Sequence, residues 1–316
     1  MGVKNLNGFL RDNCSRKSIN KINLRVLSGK TIAIDVSIYM YRFIGENALI
    51  ENMYLLLSSL LTYNITPIFV FDGKPPPEKM ELLQKRRLEK YKAREEYNRL
   101  QLELEDNNND KNIINKQLDN LKLQFIRVTS EDIKLVKNLL EIYGVSYYNA
   151  PNEADEICAY LVNSGKAWGC LSDDMDMFIY GCKNVLRNLS LVNQTVHHYN
   201  MKQILQDLEM NDTEFKQLMI LSGTDYNMNN CRKLKSALNS FYSYKIYLKK
   251  NKMITFYEWL RITDDIINID QLNHIYNTFL LVNLETSNLD SFNFDLKEVN
   301  YSKLRELLGN YGFIFV

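Results

Sequence analysis

The sequence predicts an α/β protein with a mostly parallel central sheet flanked by helices, and three observations predict it. Residues 31–34, 68–71 and 167–171 are β-rich, mostly apolar runs of four or five residues, the pattern of strands buried on both faces. Helical patterns separate the runs, an alternation that favours parallel strands joined by crossovers. Each run also ends in acid: Asp35, Asp72, and Asp173 with Asp174 after Ser172. In open α/β sheets ligands sit beyond the carboxyl ends of the strands, so these acids mark the predicted working edge.

The other elements follow in chain order. The opening MGVKNLNGFL lacks the basic-then-apolar plan of a secretion signal, and Leu6 stands where a myristoylation signal requires Ser or Thr. Residues 54–71 form the longest apolar stretch, but Ser58, Ser59, Asn64 and Pro67 break it, which predicts a buried helix and then a strand rather than a membrane span. Residues 78–105 are charged, with almost no breaker and no sustained heptad, so they predict a long helix but no coiled coil. The polar residues 106–112 predict a loop and residues 113–123 a second helix; together they predict a helical arm inserted between strands. A fourth strand is expected at 145–148. It leads into Ala150-Pro151-Asn152-Glu153-Ala154-Asp155-Glu156, a helix start with Asn152 as N-cap and acids in the first turn. Residues 226–252 are rich in Lys, Tyr and Asn, and beyond them short helical and polar pieces alternate.

With 316 residues and 46% hydrophobic content the chain can bury a sizeable core, which excludes disorder. Its 39 Lys+Arg against 38 Asp+Glu leave a formal charge of +1, so any nucleic-acid surface must arise by local segregation of charge. Five cysteines without a C-x-x-C pair argue against a disulfide framework or thiolate zinc site and for a reducing compartment, the nucleus or cytoplasm. Only three histidines are present, so a metal would have to live on carboxylates.

One strand-end Asp is ordinarily a turn former or cap. Here Asp35, Asp72, Glu153, Asp155, Asp174, Asp176 and Asp225 come from separate elements, and the α/β reading sends most of them to one sheet edge. Such crowding repels by several kcal/mol unless cations neutralise it. Hard oxygen donors select Mg²⁺, with Mn²⁺ able to substitute, and the number of acids suits two ions. Two-ion carboxylate sites activate water on one ion and stabilise the leaving oxygen on the other, the chemistry of phosphodiester hydrolysis.

The strings MGVKNL, TIAIDVSIYMY, PIFVFDGKPPPEK, APNEADEICAYLV, SDDMDMFIYG and LSGTDY occur here in that order. In this the chain resembles flap endonucleases and the wider XPG-type 5′-nuclease superfamily, over roughly residues 1–226. The resemblance implies that Asp35, Asp72, Glu153 and Asp155 hold one ion and Asp174, Asp176 and Asp225 the other, with Asp155 serving both, directly or through water. Asp155 stands where eukaryotic flap endonucleases carry Glu, which leaves Glu156 as a competitor; on helix geometry Glu153 shares a face with Glu156 and not with Asp155. The resemblance further implies that Lys79 and Arg86, seven residues apart on one helix face, clamp the scissile phosphate. Lys74, Lys85, Arg87 and Lys90 would help thread a single strand. Tyr41 would stack a base, its rival reading being a core tyrosine, and Gly2 would lie near the active site.

The chain departs from the family pattern in three places. The 35–72 segment is shorter than the region with which eukaryotic flap endonucleases wedge the duplex and sense a 3′ flap. A Gly-rich hairpin is expected after Asp225, but NMNNCRKLKSALNSF stands there, with Arg232 and Lys233 as basic candidates for a divergent helix-hairpin-helix-like region. The end, YGFIFV, carries no recognisable sliding-clamp motif. The expectation is a single domain, 1–316, with nuclease regions 1–75 and 131–225, the arm at 76–130 and a DNA-binding and helical region at 226–316. It would cleave DNA bearing a 5′ flap, nick, gap or free 5′ end. The alternatives are a 5′-to-3′ exonuclease, a ribonuclease of related architecture or a silent binder of DNA junctions. A dehalogenase-like phosphatase is excluded, because Val36 and Ser37 follow Asp35 and no D-x-D nucleophile is formed.

Overall fold

The computed structural model describes residues 2–106, 111–227, 231–251, 253–264, 267–282, 284 and 287–315. Seven strands form one sheet: β1 (Ile19–Asn23), β2 (Thr31–Asp35), β3 (Thr66–Phe71), β4 (Tyr147–Asn149), β5 (Gly169–Leu171), β6 (Asn184–Ser190) and β7 (Thr195–Asn200), in the order β1-β7-β6-β5-β2-β3-β4. The five strands from β6 to β4 pair in parallel, while β7 runs antiparallel to both β6 and β1. The predicted parallel sheet is thus present, with an antiparallel wing that the sequence reading did not anticipate.

Alternation along the strands builds two cores. Ala33, Ile68, Val70, Cys170, Val185 and Tyr199 face one layer, whereas Ile32, Ile34, Phe69, Phe71, Leu171 and Leu186 face the other. This is the period of two expected where both faces are covered. The first layer takes α1 (Leu6–Asn13) and the later helix Ala154–Asn163, which packs on β2, β3 and β5, and the second takes α2 (Val36–Gly45) and α3 (Leu49–Thr62). Residues 54–71 divide into α3 and β3, as expected from their interruptions.

After β3 the chain leaves the sheet in a short 3-10 turn, Pro77–Lys79, and α4 (Met80–Asp106). α5 (Lys111–Gln124) runs back along it, with Leu100 and Leu118 buried and Tyr97 edge-on to Phe125. The predicted loop lies mostly in 107–110, outside the described residues. α6 (Ser130–Ile142), opened by a Thr129–Asp132 capping box, returns the chain to β4.

α7 (Ala154–Asn163) follows β4, and the short α8 (Asp176–Ile179) follows β5. Beyond β7 come α9 (Met201–Asp207), α10 (Asp212–Leu221) and α11 (Leu234–Leu248). Among the described residues four further helices, Phe256–Thr263, Ile269–Phe279, Ser287–Asp290 and Tyr301–Gly309, follow in the C-terminal part. Among the described residues no helix is long and apolar enough to cross a membrane.

Candidate active site

Parallel pairing puts the carboxyl ends of β2, β3 and β5 side by side, and the helix starts that follow them open onto one cleft of about 660 Å³. Its walls carry Asp35, Asp72, Glu153, Asp155, Asp174 and Asp225 from the sheet side and Lys79, Arg86, Arg87 and Lys90 from the root of α4. Asp176 sits just behind: its backbone N–H donates to Asp174 Oδ1 at 2.9 Å. The structure therefore brings together all seven acids that the sequence singled out.

Each acid is held differently. Asp35 caps α2 through Ser37 N–H (3.2 Å) and accepts from Ser172 Oγ (3.3 Å). The same Ser172 Oγ accepts from Asp174 N–H at 3.1 Å, so one hydroxyl sets both strand-end loops. Asp72 Oδ1 accepts the Ala154 N–H at 2.9 Å and so satisfies the first turn of α7 from another strand. This corrects the expected N-cap: Glu153, not Asn152, holds the cap position, without a side-chain bond of its own, because Asp72 already supplies the acceptor. Glu153 is extended rather than helical, so the comparison of helix faces does not apply to it. Asp155 lines the cleft with Glu153, whereas Glu156 is not among the lining residues.

Burial and mutual repulsion govern three of the acids. Burial, then Asp72 and Asp174, raises Asp35 well above the ordinary carboxylate range. Burial, then Asp174 and Asp35, does the same to Asp155, and burial, then Asp174, to Asp176. Asp155 Oδ1 and Asp176 Oδ1 are buried with no hydrogen-bond partner. An unsatisfied buried acceptor costs about 1–3 kcal/mol, so each oxygen marks a position where a ligand is due.

Two cations engage two of the remaining acids, Glu153 and Asp225. Lys79 Nζ reaches Glu153 Oε2 at 2.6 Å, and Arg86 Nη2 reaches Asp225 Oδ2 at 2.8 Å. Lys79 is buried, which disfavours its charge, but Tyr226, Glu153 and Asp176 outweigh burial and hold the ammonium above its usual pKa. Its Nζ lies 4.6 Å from the Tyr226 ring centre, and Tyr226 OH donates to Glu153 Oε2 at 3.3 Å. Among the described residues no group of three or more His, Cys, Asp or Glu side chains is drawn together closely enough to hold an ion as it stands.

The other predicted site residues separate into three groups. Tyr41 is 42% exposed while Tyr39 and Phe43 are buried, so the core reading falls; Lys90 Nζ stands 5.0 Å from the Tyr41 ring centre and also donates to Ile126 O. Gly2 adopts φ +76°, and an added Cβ would collide with Asp176 Oδ1 and stand 3.0 Å from Asp174 Oδ1. Lys85 and Gly2 line a neighbouring hollow that shares Arg86 and Asp225 with the cleft. Lys74 is exposed and lines neither. Arg232 is engaged within the C-terminal part, donating to Asp264 and Ser240, while Lys233 is exposed at the start of α11.

Sequence reading passed over Tyr226 and Ser172. Both lie inside quoted strings, LSGTDY and SDDMD, where attention to the acids left their neighbours without a role.

Fold and cleft together define an α/β protein with strand-end carboxylates gathered beneath a cationic helical arm. The XPG N-terminal domain model matches residues 1–93 and the XPG I-region model residues 144–225, which carry all seven acids between them. Flap endonuclease 1 of Encephalitozoon cuniculi is 33% identical over 243 residues, covering 72% of this chain and 68% of that protein. Flap endonuclease 1 of Cryptosporidium muris is 32% identical over 80% of this chain, which spans 56% of that relative's length. The fold is shared with the flap endonuclease-1 structure from Methanococcus jannaschii, at TM-score 0.63 and 24% identity over 98% of this chain and 93% of that one. The chain belongs to the XPG-type flap endonuclease family.

Proposed function

We propose that this chain is a structure-specific 5′ nuclease that hydrolyses DNA phosphodiesters at 5′ flaps and single-strand/duplex junctions during replication, repair or recombination. The observation that carries the proposal is the cleft itself: buried acids with raised pKa values and two unpartnered carboxylate oxygens, facing cations at the root of the arm. A binder of DNA gains nothing from such repulsion, because phosphate is drawn to the cations and repelled by the acids.

The donor set fits divalent ions in kind: oxygen only, with two buried acceptors still open. Asp35, Asp72, Glu153 and Asp155 would hold one Mg²⁺ and Asp174, Asp176 and Asp225 the second, with Mn²⁺ as substitute. When bound, the two ions supply charge neutralisation and polarise the attacking water and the leaving oxygen. Lys79 and Arg86 rest on Glu153 and Asp225, and a phosphate entering the cleft competes with those carboxylates for them. Charge-assisted bonds from an ammonium and a guanidinium then orient the scissile group and stabilise charge in the transition state. Tyr41 offers an exposed ring above the cleft for base stacking, while Arg87 and Lys90 extend the cationic wall along α4. The same reading divides the chain into nuclease regions 1–75 and 131–225, the arm 76–130 and a DNA-holding helical region 226–316, and it places the protein with nuclear or cytoplasmic DNA.

Labelled single-strand, nicked, gapped and 5′-flap DNA incubated with the purified protein and Mg²⁺ tests the proposal. Cleavage at the junction of the flap substrate is expected, abolished by EDTA. Turnover restricted to RNA, or metal-independent turnover, would overturn it.

A further inference from the structure

The antiparallel wing of the sheet carries a line of cations that the cleft does not use. Arg187 on β6 stands opposite His197 on β7, and His197 stands opposite Lys21 on β1. Residues directly opposite on antiparallel strands share a face with Cβ atoms about 5 Å apart. The three therefore form one line across two strand spacings, about 10 Å long. Their face is that of Val185 and Tyr199, against which Leu6 and Leu10 of α1 pack. The charges acting on the His197 ring are Arg11 from α1, Lys21 and Arg187, all positive, and with burial they pull its pKa down. The ring is therefore uncharged near neutral pH and sits between the charges of Arg187 and Lys21.

The line begins at the catalytic loop. Arg187 Nη2 donates to Asp173 O at 2.6 Å, and Asn188 N–H donates to Asp173 Oδ1 at 2.7 Å, immediately before Asp174. Arg187 Nη1 and Tyr199 OH meet on Asn7 Oδ1. Asn7 lines the hollow that also holds Lys4, Lys85 and Arg86 together with Glu89 and Asp225, the latter paired with Arg86, so Asn7 joins Arg187 to the root of the arm. Arg187 is buried with Nε unpartnered, which makes it a fixed source of positive potential. His197 Nδ1 is buried without a partner, leaving Nε2 as the ring atom able to donate outward, and Lys21 and Arg11 are exposed.

We propose that Lys21, His197 and Arg11, backed by Arg187, form a phosphate-binding seat that holds the DNA backbone beyond the catalytic cleft. The identity of the ligand as DNA rests on the nuclease reading above; recognition of phosphate oxygens by the seat does not. The seat is non-catalytic: it adds phosphate contacts on the wing side, where the charges named as acting on the His197 ring among the described residues are all positive.

The chain has only three histidines, so their ring protons can be followed by NMR, with His197→Gln identifying the resonance. Intact protein in EDTA is titrated with pH alone, with 5′-flapped duplex DNA, and with inorganic phosphate. DNA is expected to raise the His197 pKa by about one unit, as an anion at contact distance favours the charged ring. Lys21→Ala and Arg11→Ala should each weaken DNA binding a few-fold and reduce the magnitude of the salt slope by about one. Both residues are exposed, so folding is not at stake. A His197 resonance that stays put while DNA saturates the protein would overturn DNA as the ligand, even if inorganic phosphate moves it. Failure of both probes to move it would remove the seat altogether. If the protein binds no DNA but phosphate still shifts His197, the nuclease reading fails and the seat stands as a free-phosphate site.

Discussion

Replacing Lys79 by Met removes the ammonium but keeps most of the buried stem. At 2.6 Å and an effective dielectric of 20, the pair with Glu153 has a gross attraction of about 6 kcal/mol, much of it offset by desolvation. Breaking a buried pair from one side costs about 3–5 kcal/mol. Glu153 keeps the bond from Tyr226 OH and is 18% exposed, which places the loss near the lower end, about 3 kcal/mol. For 316 residues that corresponds to a fall in Tm of about 4–5 °C in EDTA. The decisive measurement is a cycle of melts, wild type and Lys79→Met, each with EDTA and with saturating Mg²⁺. The variant leaves Glu153 without its counter-charge, so Mg²⁺ should stabilise the variant more than wild type and recover part of the deficit. Single-turnover cleavage should nevertheless fall on the order of 10²-fold or more, because the lost donor also serves the phosphate. Equal stabilisation of both proteins by Mg²⁺ would refute the idea that lysine and metal serve the same carboxylates. A variant whose cleavage is fully restored by lowering the salt would instead place Lys79 on a general electrostatic surface.

Three further outcomes are expected. Asp35→Asn should abolish cleavage while keeping DNA affinity within a few-fold; it should also raise the Tm of the metal-free protein at pH 8. The sign follows from the raised folded pKa of Asp35, Asp155 and Asp176: above about pH 4 the unfolded chain releases protons that the native cleft retains, so stability falls as pH rises through this window. Melts at pH 5 and pH 8 with and without Mg²⁺ check it, and a wild-type Tm in EDTA that rises over this range through the cleft acids would contradict it. Gly2→Ala, which forces a methyl onto Asp174 and Asp176 at a positive φ, should slow cleavage about tenfold with little change in DNA binding; wild-type turnover would dissociate Gly2 from the site. Adding a one-nucleotide 3′ flap, or exchanging K⁺ for Na⁺, should change the rate little, given the short 35–72 segment and the missing Gly-rich hairpin; a strong preference in either assay would show that divergent residues have rebuilt those contacts.

The parallel half of the sheet and its acids were legible because strands buried on both faces leave short apolar runs, and because a carboxylate ending each run is a local feature. The antiparallel wing was not, and neither was β6, the parallel strand that borders it, since INKIN, NVLRNLS and TVHHYN mix polar and apolar residues, as half-covered strands do. Partnerships distant in sequence were also hidden. Arg232 reads in the sequence as a basic candidate for DNA, and its pairing with Asp264, 32 residues on, has no local signal. Lys79 and Arg86 were expected on phosphate, yet without substrate they rest on acids of the same cleft. The cap of α7 comes from Asp72, 82 residues before Ala154, and no local pattern announces that.

That bond gives Asp72 two employers. An N-terminal acceptor of this kind supports a helix by about 1 kcal/mol, and here the helix is the one that carries Asp155. The connection is tight: Gly73 N–H donates to Asn152 O, Lys74 N–H to Pro151 O, and a Cβ on Gly73 would collide with Ala150 O. Any agent that draws Asp72 toward the centre of the cleft must leave Ala154 N–H with another acceptor, or let the start of α7 shift. Residues 73 and 74 would move with it, and five residues further along stands Lys79. One carboxylate thus ties three things together, the end of β3, the start of α7 and the short stretch of chain that leads to Lys79.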